Sequence, residues 1–268
     1  MKPKNTHLTE YLITLQKGGR YTFTRDEALN SLQIAPEAFK LAALRLIKKK
    51  SLMRPKKGFY VIVPAEYQTA GSPPVTWYVD SLMRYDQQDY YVGLLSAAAL
   101  HGAAHQQPQV FQVIASQPFR TILTGRTRLQ FLTKKNITIA SHQPIKTPTG
   151  YMNVSTPEMT AFDLVRYVKS SGYLNHVATI LSELQEKLDL TRLAKLLETE
   201  NLEITYLQRL GYLLEVVEAD ENIIALLKHW IKEHGARFIP LSIDMSYKTA
   251  PKHSVWRLYI NEQIESDI

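Results

Sequence analysis

Cysteine is absent from the 268 residues. That rules out a disulfide framework and a thiolate metal site, and makes a reducing cytoplasm the expected compartment. Long apolar runs are missing too: the longest, from Tyr90 to Leu100, falls well short of the ~20 residues a membrane span requires. The opening MKPKNTHLTEYL brings lysines without an apolar stretch, so no secretory signal and no membrane partner are expected. Neither G-x-G-x-x-G nor G-x-x-x-x-G-K-S/T occurs, and the common glycine-rich phosphate cradles go with them. Asp and Glu are absent from 110–139, a stretch with strand character, which argues against a nuclease core with metal-binding carboxylates on its strands.

Acids are also scarce near the start. Residues 1–60 hold 13 Lys/Arg against four Asp/Glu, a net +9, while the rest of the chain holds 19 against 21, a net −2. All of the excess positive charge sits in the first part of the chain. Such asymmetry is the mark of a polyanion-binding module attached to a near-neutral body.

What is there centres on Thr24–Val63. Leu8, Leu12 and Leu15 share one face of a first helix over 6–16. Thr24-Arg25-Asp26-Glu27 is a capping box that starts a second, short helix. Pro36 opens a third helix, which runs to about Lys49. At 100° per residue, Phe39, Ala43, Leu46 and Ile47 form its inner side, and Arg45, Lys48 and Lys49 its outer side, with Lys40 and Leu44 at the margin. Leu41 is the exception, an apolar residue within the basic face. It can meet a thymine methyl or pack on another part of the protein, and packing is the favoured reading. Ser51–Arg54 and Gly58–Val63 read as strands, joined by a basic tip at Pro55-Lys56-Lys57-Gly58.

This is the order of a winged helix-turn-helix. The bland alternative is a solvated helix end whose lysines complement the helix dipole. Capping box, Pro-initiated basic helix and basic wing in succession favour DNA binding instead. The candidate contacts are Arg25, Lys40, Leu41, Arg45, Lys48, Lys49, Arg54, Lys56 and Lys57, with phosphate contacts supplying most of the affinity and the first half of the third helix reading bases.

Pro64–Thr76 is turn-rich, which puts the expected boundary between a 1–68 DNA-binding domain and a 69–268 C-terminal domain. In the latter, Tyr90–His105 reads as a buried helix, with strands at 110–114, 120–123, 129–132, 137–139 and 149–154. Ser155-Thr156-Pro157-Glu158 reads as a second capping box. Helical segments follow near 174–188, 190–199 (capped by Asp189), 203–217 and 220–234, then strands near 239–243 and 255–260. The fold class is α+β: a winged helix, then a larger α+β domain with a small sheet, a buried helix and a helical half.

Four segments then carry a resemblance: YYVGLLSAAALHGAAHQQPQ (90–109), TGYMNVSTPEMTAFDLV (149–165), QRLGYLLE (208–215) and WRLYINEQIESD (256–267). They resemble AbiEi-type antitoxins, in particular those with a winged-helix N-terminus. The resemblance spans nearly the whole chain. It implies a bacterial transcriptional autorepressor of a two-gene type IV toxin–antitoxin operon of the abortive-infection kind. In such a system the N-terminal domain binds inverted repeats in its own promoter, and the C-terminal domain counteracts a nucleotidyltransferase-like toxin. Direct contact with that toxin is not part of what the resemblance implies. No catalytic residue, metal ligand or cofactor comes with it.

Three features stay outside this reading. His101 and His105, four apart on a helix, lack a third ligand at a recognisable spacing and read as ordinary histidines rather than a metal site. Ser96 lacks the G-x-S-x-G elbow and reads as a packing residue. Arg120, Arg126, Arg128, Lys134, Lys135 and Lys146 form a looser basic set. Ordinary surface charge is the favoured account of it, beside a continuation of the DNA track or a surface for RNA or an acidic toxin face. The alternative function is a nucleic-acid-processing enzyme or RNA-binding protein that uses the winged helix for substrate docking.

Overall fold

A computed structural model describes residues 6–103 and 109–265. Its first part runs α1 (Thr6–Lys17), β1 (Thr22–Thr24), α2 (Arg25–Leu32), α3 (Pro36–Lys48), β2 (Leu52–Lys56) and β3 (Phe59–Ile62). The three strands form an antiparallel sheet in the order β1-β3-β2. Strand β1 is an addition to the sequence reading. It is only three residues long, with Phe23 buried between half-buried threonines, and it exists because β3 offers it an edge. Leu8, Leu12, Phe23, Ala28, Phe39, Ala43, Leu52 and Tyr60 close one core beneath it. The Tyr60 ring stacks on Phe23 at 5.4 Å and meets Phe39 edge-on at 5.4 Å.

Next come α4 (Val79–Tyr85), β4 (Tyr90–Val92), α5 (Leu94–Leu100), β5 (Val110–Ala115), β6 (Ile122–Thr124), β7 (Thr127–Thr133), β8 (His142–Thr147) and β9 (Gly150–Ser155). One six-stranded sheet has the order β6-β7-β5-β4-β9-β8. Within it β5 runs parallel to β7 over six residue pairs, and β6 pairs antiparallel with β7. Helices α6 (Pro157–Arg166), α7 (Tyr173–Leu184), α8 (Leu190–Thr199), α9 (Ile204–Val216) and α10 (Glu221–Glu233) complete the helical half, and short strands at Ile239–Pro240, Lys252–His253 and Leu258–Tyr259 follow.

Three local expectations need correction. Tyr90–Val92 is a strand rather than the start of a helix; Gly93 is extended and only then does α5 begin. Aromatic and β-branched residues suit a pleated surface when neighbouring strands exist. Residues 137–139 form no strand, and the strand lies instead at His142–Thr147. The cap of α6 is Thr156, whose hydroxyl accepts from the Met159 amide. The capping box read at Ser155–Glu158 does not form, because the Glu158 carboxylate accepts from the Asp189 amide and from Arg192.

By internal contacts the chain divides into two compact units. Unit 1 holds residues 1–90, 109–135 and 144–153, and unit 2 holds 91–108, 136–143 and 154–268. In unit 2 the centre is α6, where Pro157 through Val165 are all buried. The α9 residues of the QRLGYLLE segment clamp the C-terminal strands. Gln208 Nε2 donates to the carbonyls of Arg237 and Trp256, both at 2.9 Å. Arg209 donates to those of Leu241 at 2.9 Å and Pro240 at 3.0 Å. Trp256 is fully buried and packs against Gly211, where a Cβ would fall 2.1 Å from the indole Cζ3. Two of the segments that carry the resemblance are thus the two halves of one packing arrangement.

Candidate nucleic-acid interface

Local chemistry shapes the basic helix before any long-range contact does. The Thr24 hydroxyl accepts from the Glu27 amide at 3.2 Å, and the Glu27 carboxylate accepts from the Thr24 amide at 2.7 Å. Arg20 adds an ion pair to Glu27 at 2.9 Å. Burial raises the Glu27 carboxyl, but the hydrogen bonds from Thr24 and Arg20 and the Arg20 charge outweigh it and hold the group below the usual carboxylate range. Gln33 ends α2 in the left-handed region, Pro36 opens α3, and α3 closes on Lys50, also left-handed at φ 57°. The Ser51 amide donates to the Leu46 carbonyl and the Lys50 amide to the Ile47 carbonyl. This is the Schellman pattern, and it turns the chain from α3 into the wing.

Helix α3 then has two distinct sides. Phe39, Ala42 and Ala43 are buried, with Leu46 and Ile47 packed at the edge of the same core. Lys40, Arg45, Lys48 and Lys49 are all exposed, as are Arg25 at the start of α2, Arg54 on β2 and Lys57 at the wing tip. Leu41 is 58% exposed and Leu44 47%, so packing within the chain leaves most of Leu41 uncovered. An outer face of this kind offers cations and apolar carbon together to whatever meets it.

Lys56 differs from its neighbour. Its ammonium is paired with the Asp86 carboxylate and stands 4.7 Å over the Phe119 ring. The Tyr85 hydroxyl donates to the Lys57 carbonyl at 3.1 Å. Gly58, at φ +86°, has no room for a Cβ, which would meet the Tyr85 oxygen at 2.4 Å. The wing tip is therefore clamped from behind by the end of α4, and one of its two lysines is spent in the clamp. Asp86, Tyr85 and Phe119 are the residues that sequence reasoning missed. They lie about 30 to 60 positions from Lys56, and no local motif announces them.

The looser basic set divides as well. Arg120, Arg126, Arg128, Lys135 and Lys146 are exposed. Lys134 is 7% exposed and so drops out of a surface patch. Its amide extends the pairing of β5 and β7 by donating to the Ala115 carbonyl at 3.0 Å, which draws the residue into the sheet. Arg120 and Leu123 share a cleft of about 500 Å³ with Lys56 and Phe119.

Several polar groups of unit 2 are buried. The Tyr91 hydroxyl donates to Asp163 at 2.8 Å in a fully buried pair. Burial, and then the Asp163 charge, pushes that phenol well above its usual range, so it keeps the proton it donates. Ser155 and Thr160 share a hydrogen bond at 2.6 Å, and Ser96 is buried. His101 lies 2.8 Å from the Ser155 carbonyl; burial lowers its affinity for a proton. His105 lies outside the described residues. Among the described residues, no group of three or more His, Asp or Glu is placed to hold a metal ion, and no helix is long and apolar enough to cross a membrane.

Two comparisons with known proteins bear on this arrangement. The crystal structure of the RV2827C protein from Mycobacterium tuberculosis matches with a TM-score of 0.66 at 16% sequence identity, over 94% of this chain and 90% of that one. At that identity the likeness concerns the fold. A family model described as the AbiEi antitoxin C-terminal domain matches residues 91–216, the stretch from the Tyr91 of the buried pair to the end of α9. Residues 91–216, just under half of the chain, are thus similar to the C-terminal domain of the AbiEi antitoxins.

Proposed function

We propose that the chain is a DNA-binding transcriptional autorepressor as well as an antitoxin. In this reading residues 1–68 bind inverted repeats of double-stranded DNA in the chain's own promoter. The C-terminal domain, residues 69–268, counteracts a nucleotidyltransferase-like toxin of a bacterial type IV, abortive-infection operon. The protein works without catalysis or a cofactor, in the cytoplasm. The observation that carries the DNA half is α3, whose buried side is Phe39, Ala42 and Ala43 and whose outer side exposes Lys40, Arg45, Lys48 and Lys49. The net +9 of the first sixty residues supports it. Arg25, Arg54 and Lys57 flank the helix as further phosphate contacts. Arg120, Arg126 and Arg128 would extend the track, with Lys135 at its end.

A footprint of the purified protein on the DNA upstream of its own gene tests this reading. The double variant Arg45→Glu, Lys48→Glu should abolish that footprint. It would turn two attractions to phosphate into repulsions, and each phosphate contact also contributes about 0.9 to the slope of log affinity against log salt. Rescue of cell growth from the toxin encoded by the neighbouring gene should survive the same variant, because its charges lie outside 91–216. Undiminished binding by the double variant would sink the assignment of α3.

A further inference from the structure

Helix α3 places two leucines among its cations. Leu41 and Leu44 are three residues apart, so they adjoin on the helix surface, and both are exposed. Arg45 stands four residues after Leu41, and Lys40 and Lys48 stand four before and four after Leu44. The result is a short apolar stripe bordered by positive charge. Covering exposed leucine is favourable, so the question is what surface covers this one.

A second copy of the chain is a poor fit. It would set Lys40, Arg45 and Lys48 against their own likeness, with Glu37 the only acid on the helix, and like charges brought together repel. An apolar protein surface is no better, since it would strip water from those cations without pairing them. The major groove of DNA supplies both halves of the complement. Phosphates line its edges, and the thymine C5 methyl is the apolar group on its floor.

We infer that Leu41, with Leu44 one turn further on, reads thymine methyl groups, so that the DNA site carries thymine opposite the middle of α3. This rests on the DNA-binding reading above and adds to it the chemistry of the base that is read. Leu41 becomes a specificity-determining residue, while the cations around it bind any sequence.

The test uses the full chain and the footprinted upstream fragment in two forms. One holds thymidine, and the other holds deoxyuridine at every thymidine position. Deoxyuridine keeps the pairing and the phosphates and lacks only the methyl. Wild-type protein should bind the deoxyuridine form about fourfold more weakly for each methyl contacted, the equivalent of one buried methylene. Leu41→Ala should lose a similar factor on the thymidine form and discriminate less between the two. Leu41→Gln, which keeps length and helix propensity, should behave like Leu41→Ala. Equal wild-type binding to both forms overturns the thymine reading alone. So does full discrimination in both variants, including the case in which they sediment as smaller species and the stripe proves to be a self-association surface. Failure of the wild type to bind either form at low salt overturns the DNA reading itself.

Discussion

Charge faces outward on α3 and is buried at Asp163 and Glu158, and the two settings ask different things of it. The exposed lysines and arginines of α3 cost little to hold in water and contribute little to folding. They lie at the surface, where a polyanion can reach them. The buried Tyr91–Asp163 pair and Glu158, whose side chain is 0% exposed, are in the opposite position: removing a partner takes a hydrogen bond from a polar group in a dry interior. In the proposed reading one region uses its charge on DNA, while the buried groups use theirs on packing. Substitutions in the two should therefore separate into losses of binding and losses of stability.

The strongest break in that division should come from Gly211→Ala. The added Cβ would strike the Trp256 ring, and overpacking of this kind costs about 1–3 kcal/mol, sometimes more. Thermal melting should fall and toxin rescue weaken, while the salt dependence of DNA binding stays as it was. A melting temperature equal to the wild type would show that the α9–Trp256 contact yields easily. Tyr91→Phe should come next. It removes a donor from the buried Asp163 carboxylate, at about 1.5–3 kcal/mol for a hydrogen bond to a charged group, again with DNA binding unchanged.

The wing lysines sharpen the comparison inside unit 1. Lys57→Met should lower the slope of log affinity against log salt by about 0.9. Lys56→Met should leave that slope unaltered and weaken affinity through a looser wing, since its ammonium is held by Asp86. Equal slope changes in the two variants would mean that Lys56 leaves Asp86 to bind phosphate. The smallest effect belongs to Glu27→Gln. The folded-state pKa of Glu27 is depressed, so its contribution is present at neutral pH and is lost as pH falls through the lowered value. With both side chains of the Arg20–Glu27 pair about half exposed, that contribution is under about 1 kcal/mol. Chemical denaturation at pH 7 and near pH 3 should show the gap between wild type and variant closing in acid.

The candidate interface was legible in part because its makers are local. Thr24 and Glu27 are three residues apart, Asp189 caps α8 through the Arg192 amide three residues on, and the two-sided pattern of α3 follows from helical periodicity. Helices α7 to α10 were readable for the same reason. The failures share the opposite cause. Tyr90–Val92 looks helical beside a run of alanines until β9 offers Val154 as a partner for Val92. Ser155–Glu158 has the letters of a capping box, yet Glu158 is claimed by Asp189 and Arg192 more than 30 positions away. Lys134 looks like one more surface cation until the strand pairing carries it inside.

The same division runs through the molecule as a whole. Composition, charge asymmetry and short-range spacing were enough to specify a basic winged helix ahead of a near-neutral α+β body, because helix faces, caps and net charge depend on neighbours within a turn or on simple sums. Which cations remain available was settled by the fold. Lys56 and Lys57 are adjacent in the chain, but Asp86 and Phe119 reach only the first. The exposure of Leu41 was likewise decided by packing, since a leucine on a helix is covered or bare according to what the rest of the chain brings against it, and here the core closed around Phe39 and left Leu41 in water.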